Sequence, residues 1–387
     1  MSSRVAIIGG GPAGLTLARI LQQNSSIEVT VFEKDESCHA RGQGGSLDLQ
    51  PGSGQAALHA ANLYDEFMKH TTLGGEDFRL VDRHFNIYQD IRDTETGKPE
   101  IDRGKLRQIL LDSLEKGTVR WGANVIKVEQ GKVILDSGEE GGFDLIVGAD
   151  GAWSKVRPMV TDSKPFYSGI TGIEFVLRNA KINHPQSSEV VGNGSIAAFG
   201  ETDPNGIACH RLSNGDITVY AICKRPENWI RDELDTSSPH GTWQHVLKAY
   251  TDFDPRLQQL FKDADVSEDT VLPRQLWMLP PGARWETKPG FTLIGDAAHL
   301  MTPFAGQGVN IAMQDSLNLA KEILAFRDDL TKAISNYEQS MFVYAEEATT
   351  LTAMNLQDCF LPGGVGKMSA QIDKRMAAML AKEMATS

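Results

Sequence analysis

Val5-Ala-Ile-Ile-Gly-Gly-Gly-Pro-Ala-Gly14, close to the start of a 387-residue chain, decides how the fold is read. Val5 to Ile8 is a short, wholly apolar run of the kind that forms a buried parallel strand. It leads directly into glycines at 9, 11 and 14, and Leu15-Thr-Leu-Ala-Arg-Ile-Leu21 then reads as helix. In a strand–turn–helix of this spacing, Gly9 permits the tight turn, Gly11 lets the backbone approach a pyrophosphate, and Gly14 lets helix and strand pack closely. The helix start offers unpaired N–H groups and a positive dipole end to an anion. A second apolar run, Val29-Thr-Val-Phe32, ends at Glu33, nineteen residues beyond Gly14. An acidic side chain there can accept hydrogen bonds from a ribose diol. The unit predicts a dinucleotide site and leaves NAD and FAD both open.

Bulk properties set the frame around it. The length suits about two domains with a sizeable core. A formal charge of −13 argues against a nucleic-acid partner, since nothing would neutralise phosphates. The N-terminus enters a strand without a basic stretch and an apolar run before it, so no signal peptide is expected. Apolar runs fall far below the ~18 residues of a membrane span. Cys38, Cys209, Cys223 and Cys359 are scattered without paired spacing. That predicts neither a metal site nor a disulfide framework, and a reducing cytoplasm.

A second signal lies at Phe291-Thr-Leu-Ile-Gly-Asp-Ala-Ala-His-Leu-Met-Thr-Pro-Phe-Ala-Gly-Gln-Gly-Val-Asn310. It reads as a strand, a loop carrying Asp296, then Pro303, Gly306 and Gly308, then a helix. Apolar or small residues at 309, 312, 313, 316, 317, 320, 323 and 324 give that helix one face. A second glycine-fronted helix start therefore points its N–H groups at something electron-rich. Between the two, Phe143-Asp-Leu-Ile-Val-Gly-Ala-Asp-Gly-Ala-Trp-Ser-Lys-Val-Arg157 reads as a strand and an Asp150-Gly151 turn. Glu100-Ile-Asp-Arg-Gly-Lys-Leu-Arg-Gln-Ile-Leu-Leu111 reads as the start of an amphipathic helix.

These stretches resemble the class A flavoprotein hydroxylases, of the para-hydroxybenzoate hydroxylase fold. The family pattern GDAAHxxxPxxGxGxN is matched at every fixed position between Gly295 and Asn310. The resemblance implies FAD, with Asp296 on its ribityl chain and Pro303, Gly306, Gly308 and Asn310 facing the ring. It implies that Asp150 serves the FAD edge and NAD(P)H, and that Arg103 contacts FAD; Lys34, beside Glu33, joins the cofactor-binding set. The chain is most similar to the tetracycline-inactivating monooxygenases through Gly44-Gly-Ser-Leu-Asp-Leu-Gln-Pro-Gly-Ser-Gly-Gln55 and Asn336-Tyr-Glu-Gln-Ser-Met-Phe342. Arg41 and Asp48 align with their cofactor-contacting positions. Where those enzymes place a glutamine, an arginine and a histidine over the substrate, Glu174, Ser195 and Thr218 stand here. Those exchanges alter charge and hydrogen-bond reach and argue against tetracycline as substrate.

The expected architecture is α/β. A Rossmann-like FAD-binding domain takes in 1–72, 92–164 and 268–325, a substrate domain 73–91 and 165–267, and C-terminal helices 326–387. Partial alternation between Tyr167 and Cys223, with Asn-Gly pairs at 193–194, 205–206 and 214–215, predicts an antiparallel sheet in the substrate domain. Glu174, Thr218 and Tyr220 are its candidate substrate residues. A long helix over 331–359 carries Ile334, Tyr337, Met341, Phe342 and Ala345 on one side. The implied reaction is hydroxylation of an electron-rich aromatic or polycyclic small molecule, using NADPH or NADH transiently, and O2 through a C4a-hydroperoxyflavin. The cofactor carries that chemistry, so no protein catalytic residue, no general base and no metal ligand is named, and a monomer is expected. Two rivals share the motifs. A flavin-dependent halogenase would carry Trp-x-Trp-x-Ile-Pro, whereas Leu276-Trp-Met-Leu-Pro280 has one tryptophan of the two. A non-enzymatic binding module, like the GDP-dissociation inhibitors, would not need Gly11, Glu33 and Asp296 together.

Overall fold

Five short strands, four of them mostly buried and apolar, line up in parallel in the order 291–293, 145–148, 4–8, 28–32 and 119–120. Val5, Ala6, Ile7, Leu145, Ile146, Val147 and Leu293 are fully buried, as strands covered on both faces must be. Strand Arg4–Ile8 has Glu28–Phe32 on one side and Leu145–Gly148 on the other, so the strand order reverses beside it. Gly9–Gly14 leaves its carboxyl end at that switch point, which is where open α/β sheets bind ligands. The computed structural model describes residues 3–38, 40, 45–71, 77–92, 97–200, 204–268 and 270–386.

The chain forms two compact units. The first comprises Met1–Thr71, Gly97–Phe166 and Trp277–Ala353 and contains the parallel sheet. Helix Pro12–Asn24 packs on helix Gly308–Ala325, and Ser316 Oγ donates to the Ala13 carbonyl at 2.8 Å. The second comprises Thr72–Thr96, Tyr167–Leu276 and Met354–Ser387. The expected separate C-terminal unit over 326–387 does not form. Helix Leu330–Asp358 puts Ala333, Ile334, Tyr337, Met341, Phe342 and Ala345 into the core of the first unit, because those side chains form one continuous apolar stripe. Helix Gly364–Thr386 belongs to the second unit.

The second unit is built on a seven-stranded sheet, ordered 272–278, 166–177, 217–224, 205–211, 195–199, 78–82 and 87–91. It is not antiparallel throughout: Ser195–Phe199 runs parallel to Phe78–Asp82. Asn214-Gly215 makes the expected turn, with Gly215 at φ +86°, but Asn205-Gly206 lies inside strand Asn205–Arg211. Gly206 is glycine for packing: a Cβ there would sit 2.4 Å from the Phe199 ring. Ile173, Phe175, Leu177, Val219, Ala221 and Cys209 point into this unit's own apolar core. No helix among the described residues is long and apolar enough to cross a membrane.

Candidate functional site

The glycine turn separates its glycines by job. A Cβ on Gly9 would meet the Ala149 carbonyl at 2.3 Å, and one on Gly14 would meet the Gly9 carbonyl at 2.1 Å. Gly9 also holds φ +114°, closed to other residues. Those two glycines build the turn. Gly11 has nothing within 4 Å of its would-be Cβ, so it faces open space at the start of helix Pro12–Asn24. That is the approach a pyrophosphate requires.

Glu33 is buried beside this turn. Its Oε2 accepts from the Gly10 N–H at 2.8 Å and its Oε1 from the Asp35 N–H at 2.9 Å. Both bonds fix the carboxylate's rotamer, and each oxygen retains accepting capacity for a ribose hydroxyl. Arg107 holds the whole corner: Nε donates to the Gly10 carbonyl at 3.0 Å, and Nη2 lies 3.3 Å from Asp35 and 3.6 Å from Glu33. Its guanidinium also stacks on Trp121, 5.4 Å from the ring centre. The sequence reading missed Arg107. It sits on a buried helix face four residues after Arg103, and no local motif distinguishes it from a solvated helix charge. Lys34 is exposed next to Glu33.

Asp296 opens the turn Asp296–His299 after strand Phe291–Leu293, and Gly295 reaches it at φ +60°. Its side chain is solvent-accessible, with protein packed closely around it. The dry surroundings raise its carboxyl above the usual range, opposed by His299, Arg103 and Arg157. Its carboxylate makes no hydrogen bond to a described residue. Asp150 is raised in the same way by burial; Oδ2 accepts from the Lys155 N–H at 2.6 Å, while buried Oδ1 has no partner among the described residues. Arg157 joins the two turns: Nε donates to the Ala297 carbonyl at 2.8 Å and Nη2 to that of Asp296 at 3.0 Å, while Nη1 reaches the Ala152 carbonyl at 2.8 Å. It was quoted in the motif above but given no role.

Past Pro303, which starts a short turn, Gly306 at φ +61° feeds helix Gly308–Ala325. Gly308 again has nothing near its would-be Cβ. Asn310 does a different job from the one expected. Fully buried, it accepts the Gln50 N–H at 2.7 Å and donates Nδ2 to the Asp48 carbonyl at 2.8 Å, so its amide clamps the 48–53 stretch instead of pointing outward. Asp48 thereby lies close to Gly306. Arg103 is exposed at the head of helix Arg103–Asp112, with its backbone N–H on the Gly45 carbonyl. Arg41 lies outside the described residues.

In the second unit, Glu174 pairs in register with Tyr220, and Val176 with Thr218. Glu174, Thr218 and Tyr220 therefore share the face opposite the apolar core. Arg274 stands 3.7 Å from Glu174, so the carboxylate is not the uncompensated charge that the sequence alone suggests. Ser195 and His210 form a hydrogen bond of 2.6 Å on the same face.

The first unit fits FAD by three observations: open space over Gly11, a carboxylate held beside the glycine turn, and unspent acceptors on Asp150 and Asp296 in front of a helix start. A family model described as "FAD binding domain" matches residues 2–333, and the chain belongs to that family. It is an FAD-dependent monooxygenase. It is 31% identical to the monooxygenase asqM of Emericella nidulans, over 91% of this chain and 94% of that one. Among solved structures it resembles HpxO of Klebsiella pneumoniae complexed with FAD and uric acid, with a TM-score of 0.76, 19% identity, and 97% and 92% of the two chains covered. The tetracycline destructase Tet(51) superposes with a TM-score of 0.69 at 21% identity, over 97% and 96%.

Proposed function

We propose that this monooxygenase takes NADPH or NADH as a transient reductant and O2 as co-substrate, and hydroxylates a flat, electron-rich aromatic that is neutral or cationic. Bound FAD supplies the chemistry, accepting electrons from the nicotinamide and making an oxygen atom of O2 electrophilic. The residues do the holding. Gly11 admits the pyrophosphate to the helix start, Glu33 receives the ribose, and Asp296 and Asp150 take hydroxyls of the polyol chain. The first-turn N–H groups of helix Gly308–Ala325, with no partner inside the helix, favour negative charge on the reduced ring. Lys34, Asp48, Arg103, Pro303 and Gly306 complete the lining, and Asn310 acts by holding the Asp48 segment.

The observation that carries the substrate class is the polar face of the second sheet. Tyr220 offers a ring for stacking and Glu174, its register partner, a carboxylate, while Thr218 is buried beside them. The Glu174 side chain is 17% exposed against 63% for Arg274. The less exposed charge is the less screened, so the local field stays negative despite the ion pair. An alkaloid- or quinolone-like scaffold suits that field better than a benzoate does. The test compares substrate-stimulated NAD(P)H oxidation and O2 uptake for a benzoate and a basic heteroaromatic at equal concentration. Preference for the benzoate refutes the charge assignment, and a preference unchanged in Glu174→Gln removes Glu174 from it. The four cysteines are free, which suits a cytoplasmic enzyme, and we infer that it acts as a monomer.

A further inference from the structure

Behind the Asp296 turn lies a buried polar cluster that the binding roles above do not use. Asp315, on helix Gly308–Ala325, is fully buried. Its Oδ2 accepts from the Gly295 N–H at 2.7 Å and from His299 Nε2 at 2.6 Å, and its Oδ1 accepts from the Tyr344 hydroxyl at 2.7 Å. A carboxylate of full charge in a dry site is costly unless a cation and hydrogen bonds meet it. Here one imidazole, one backbone N–H and one phenol do so.

The donors come from two places in the chain. Gly295 and His299 bracket Asp296 in the chain, and Tyr344 comes from the long C-terminal helix. Two more residues of that helix hold the strand leading into the turn: Tyr337 donates to the Leu293 carbonyl at 2.9 Å, and Glu338 accepts from Thr292 Oγ1 at 2.9 Å. Those three residues lie beyond residue 333, where the match to the family model ends.

We propose that His299 and Asp315 form a positioning pair that holds the Asp296 turn and keeps Asp296 anionic for the cofactor, and that the C-terminal helix completes the pair through Tyr344. This rests on the reading that Asp296 holds FAD. Burial works against a charged His299, but Asp315, and Asp296 after it, outweigh burial and raise its pKa. His299 lies one helical turn from Asp296, where its positive charge, when it is protonated, opposes the effect of burial on that carboxyl. The other polar groups around the turn are few. Arg157 caps the carbonyls of Asp296 and Ala297, Arg103 adds positive charge toward Asp296, and Tyr337 and Tyr344 stay neutral, their pKa values pushed up by burial.

The test is the FAD dissociation constant of reconstituted apoprotein, read by flavin fluorescence between pH 6 and pH 8. In wild type Asp315 favours the charged imidazole, so affinity falls less with rising pH than it does in the variant that lacks the carboxylate. In Asp315→Asn the imidazole loses its anion, and burial then drives its pKa below the ordinary ~6.5. Its charge is lost as pH rises, so affinity at pH 8 falls by about tenfold, the lower end of what losing an orienting partner costs metal-holding residues, and recovers toward pH 6. His299→Gln can still donate to Asp315 but carries no charge, so it binds weakly at every pH. A merely structural role would weaken binding in both variants without the pH slope. Asp315→Asn with the wild-type affinity profile, or with a loss equal at both pH values, overturns the proposal. If Asp315→Asn does not fold, full-strength binding by His299→Gln overturns it equally. Should Asp296→Ala also bind FAD normally, the Asp296 reading falls with it; should Asp296→Ala alone bind weakly, only the positioning pair is refuted.

Discussion

Replacing Asp296 with alanine separates binding from folding more cleanly than any other change in the first unit. The carboxylate makes no hydrogen bond to a described residue, does not cap its own turn, and sits where dry surroundings already disfavour its charge. Its removal therefore leaves no protein donor unsatisfied and relieves a desolvation cost, so the apoprotein should unfold at or slightly above the wild-type temperature. FAD loses one charge-assisted hydrogen bond from a polyol hydroxyl, about 1.5–3 kcal/mol. At roughly 1.4 kcal/mol per decade, that weakens binding by about 10- to 150-fold. The assay is flavin retained through purification and the dissociation constant on reconstitution, with thermal unfolding of the apoprotein in parallel. Full, tightly held FAD in Asp296→Ala refutes the assignment. A large fall in apoprotein stability refutes the claim that the carboxylate serves the ligand rather than the fold.

Gly11→Ala and Gly14→Ala should part company. Gly11 already has an extended backbone at φ −84°, and open space beside it, so alanine should cost no stability and could add ~0.4–1 kcal/mol while weakening FAD by tenfold or more. Gly14→Ala drives a Cβ into a backbone carbonyl and should destabilise the unit by about 1–3 kcal/mol on urea unfolding. Arg107→Leu leaves Glu33 and Asp35 buried without their cation and should cost about 3–5 kcal/mol, with a stable variant in urea speaking against the network. Ending the chain after Leu330 uncovers the core that Ile334, Tyr337, Met341 and Phe342 close, and should yield insoluble protein. A soluble, FAD-loaded truncation would make that helix dispensable.

What the sequence showed and what it hid follow from how local each signal is. Gly9, Gly11 and Gly14 were readable because a turn, a close approach and a helix–strand contact each leave a glycine at a fixed offset in one stretch of chain. The strand at 291–293 and the helix after Gly308 were readable for the same reason. Arg107, Arg157 and Asp315 were not, because each acts on a partner brought near only by folding: Arg107 on Gly10, Arg157 on Ala297, and Asp315 on a residue of the long helix. Asn310 stood in the motif, but its neighbours in sequence could not tell that its amide would be used on Gln50 and Asp48. The parallel strand at 195–199 was hidden because alternation reports which side chains face the core and is silent on the direction of the neighbour. Asn205-Gly206 misled because an Asn-Gly pair has the same composition in a turn as in a strand that must let Phe199 cross it.

One physical requirement connects these hidden residues. A cofactor that must be held in one pose needs loops of little intrinsic rigidity to stay in one conformation, and glycine-rich turns are the least rigid segments a chain has. The glycines give access, and something else must restore order. In the first unit this falls to buried polar side chains on neighbouring helices and turns: Arg107 on Gly10, Arg157 on Ala152, Asp296 and Ala297, Asn310 on Asp48 and Gln50, and Asp315 on Gly295. Each directs at least one hydrogen bond at the backbone of such a turn, which limits φ and ψ there in a way that a side-chain partner alone would not. Burial makes each such bond costly to break, since the freed group would have no water to turn to. Tyr337 acts alike on the Leu293 carbonyl, while Glu338 and Tyr344 reach the side chains of Thr292 and Asp315, so the long C-terminal helix braces the strand and the turn that lead to Asp296.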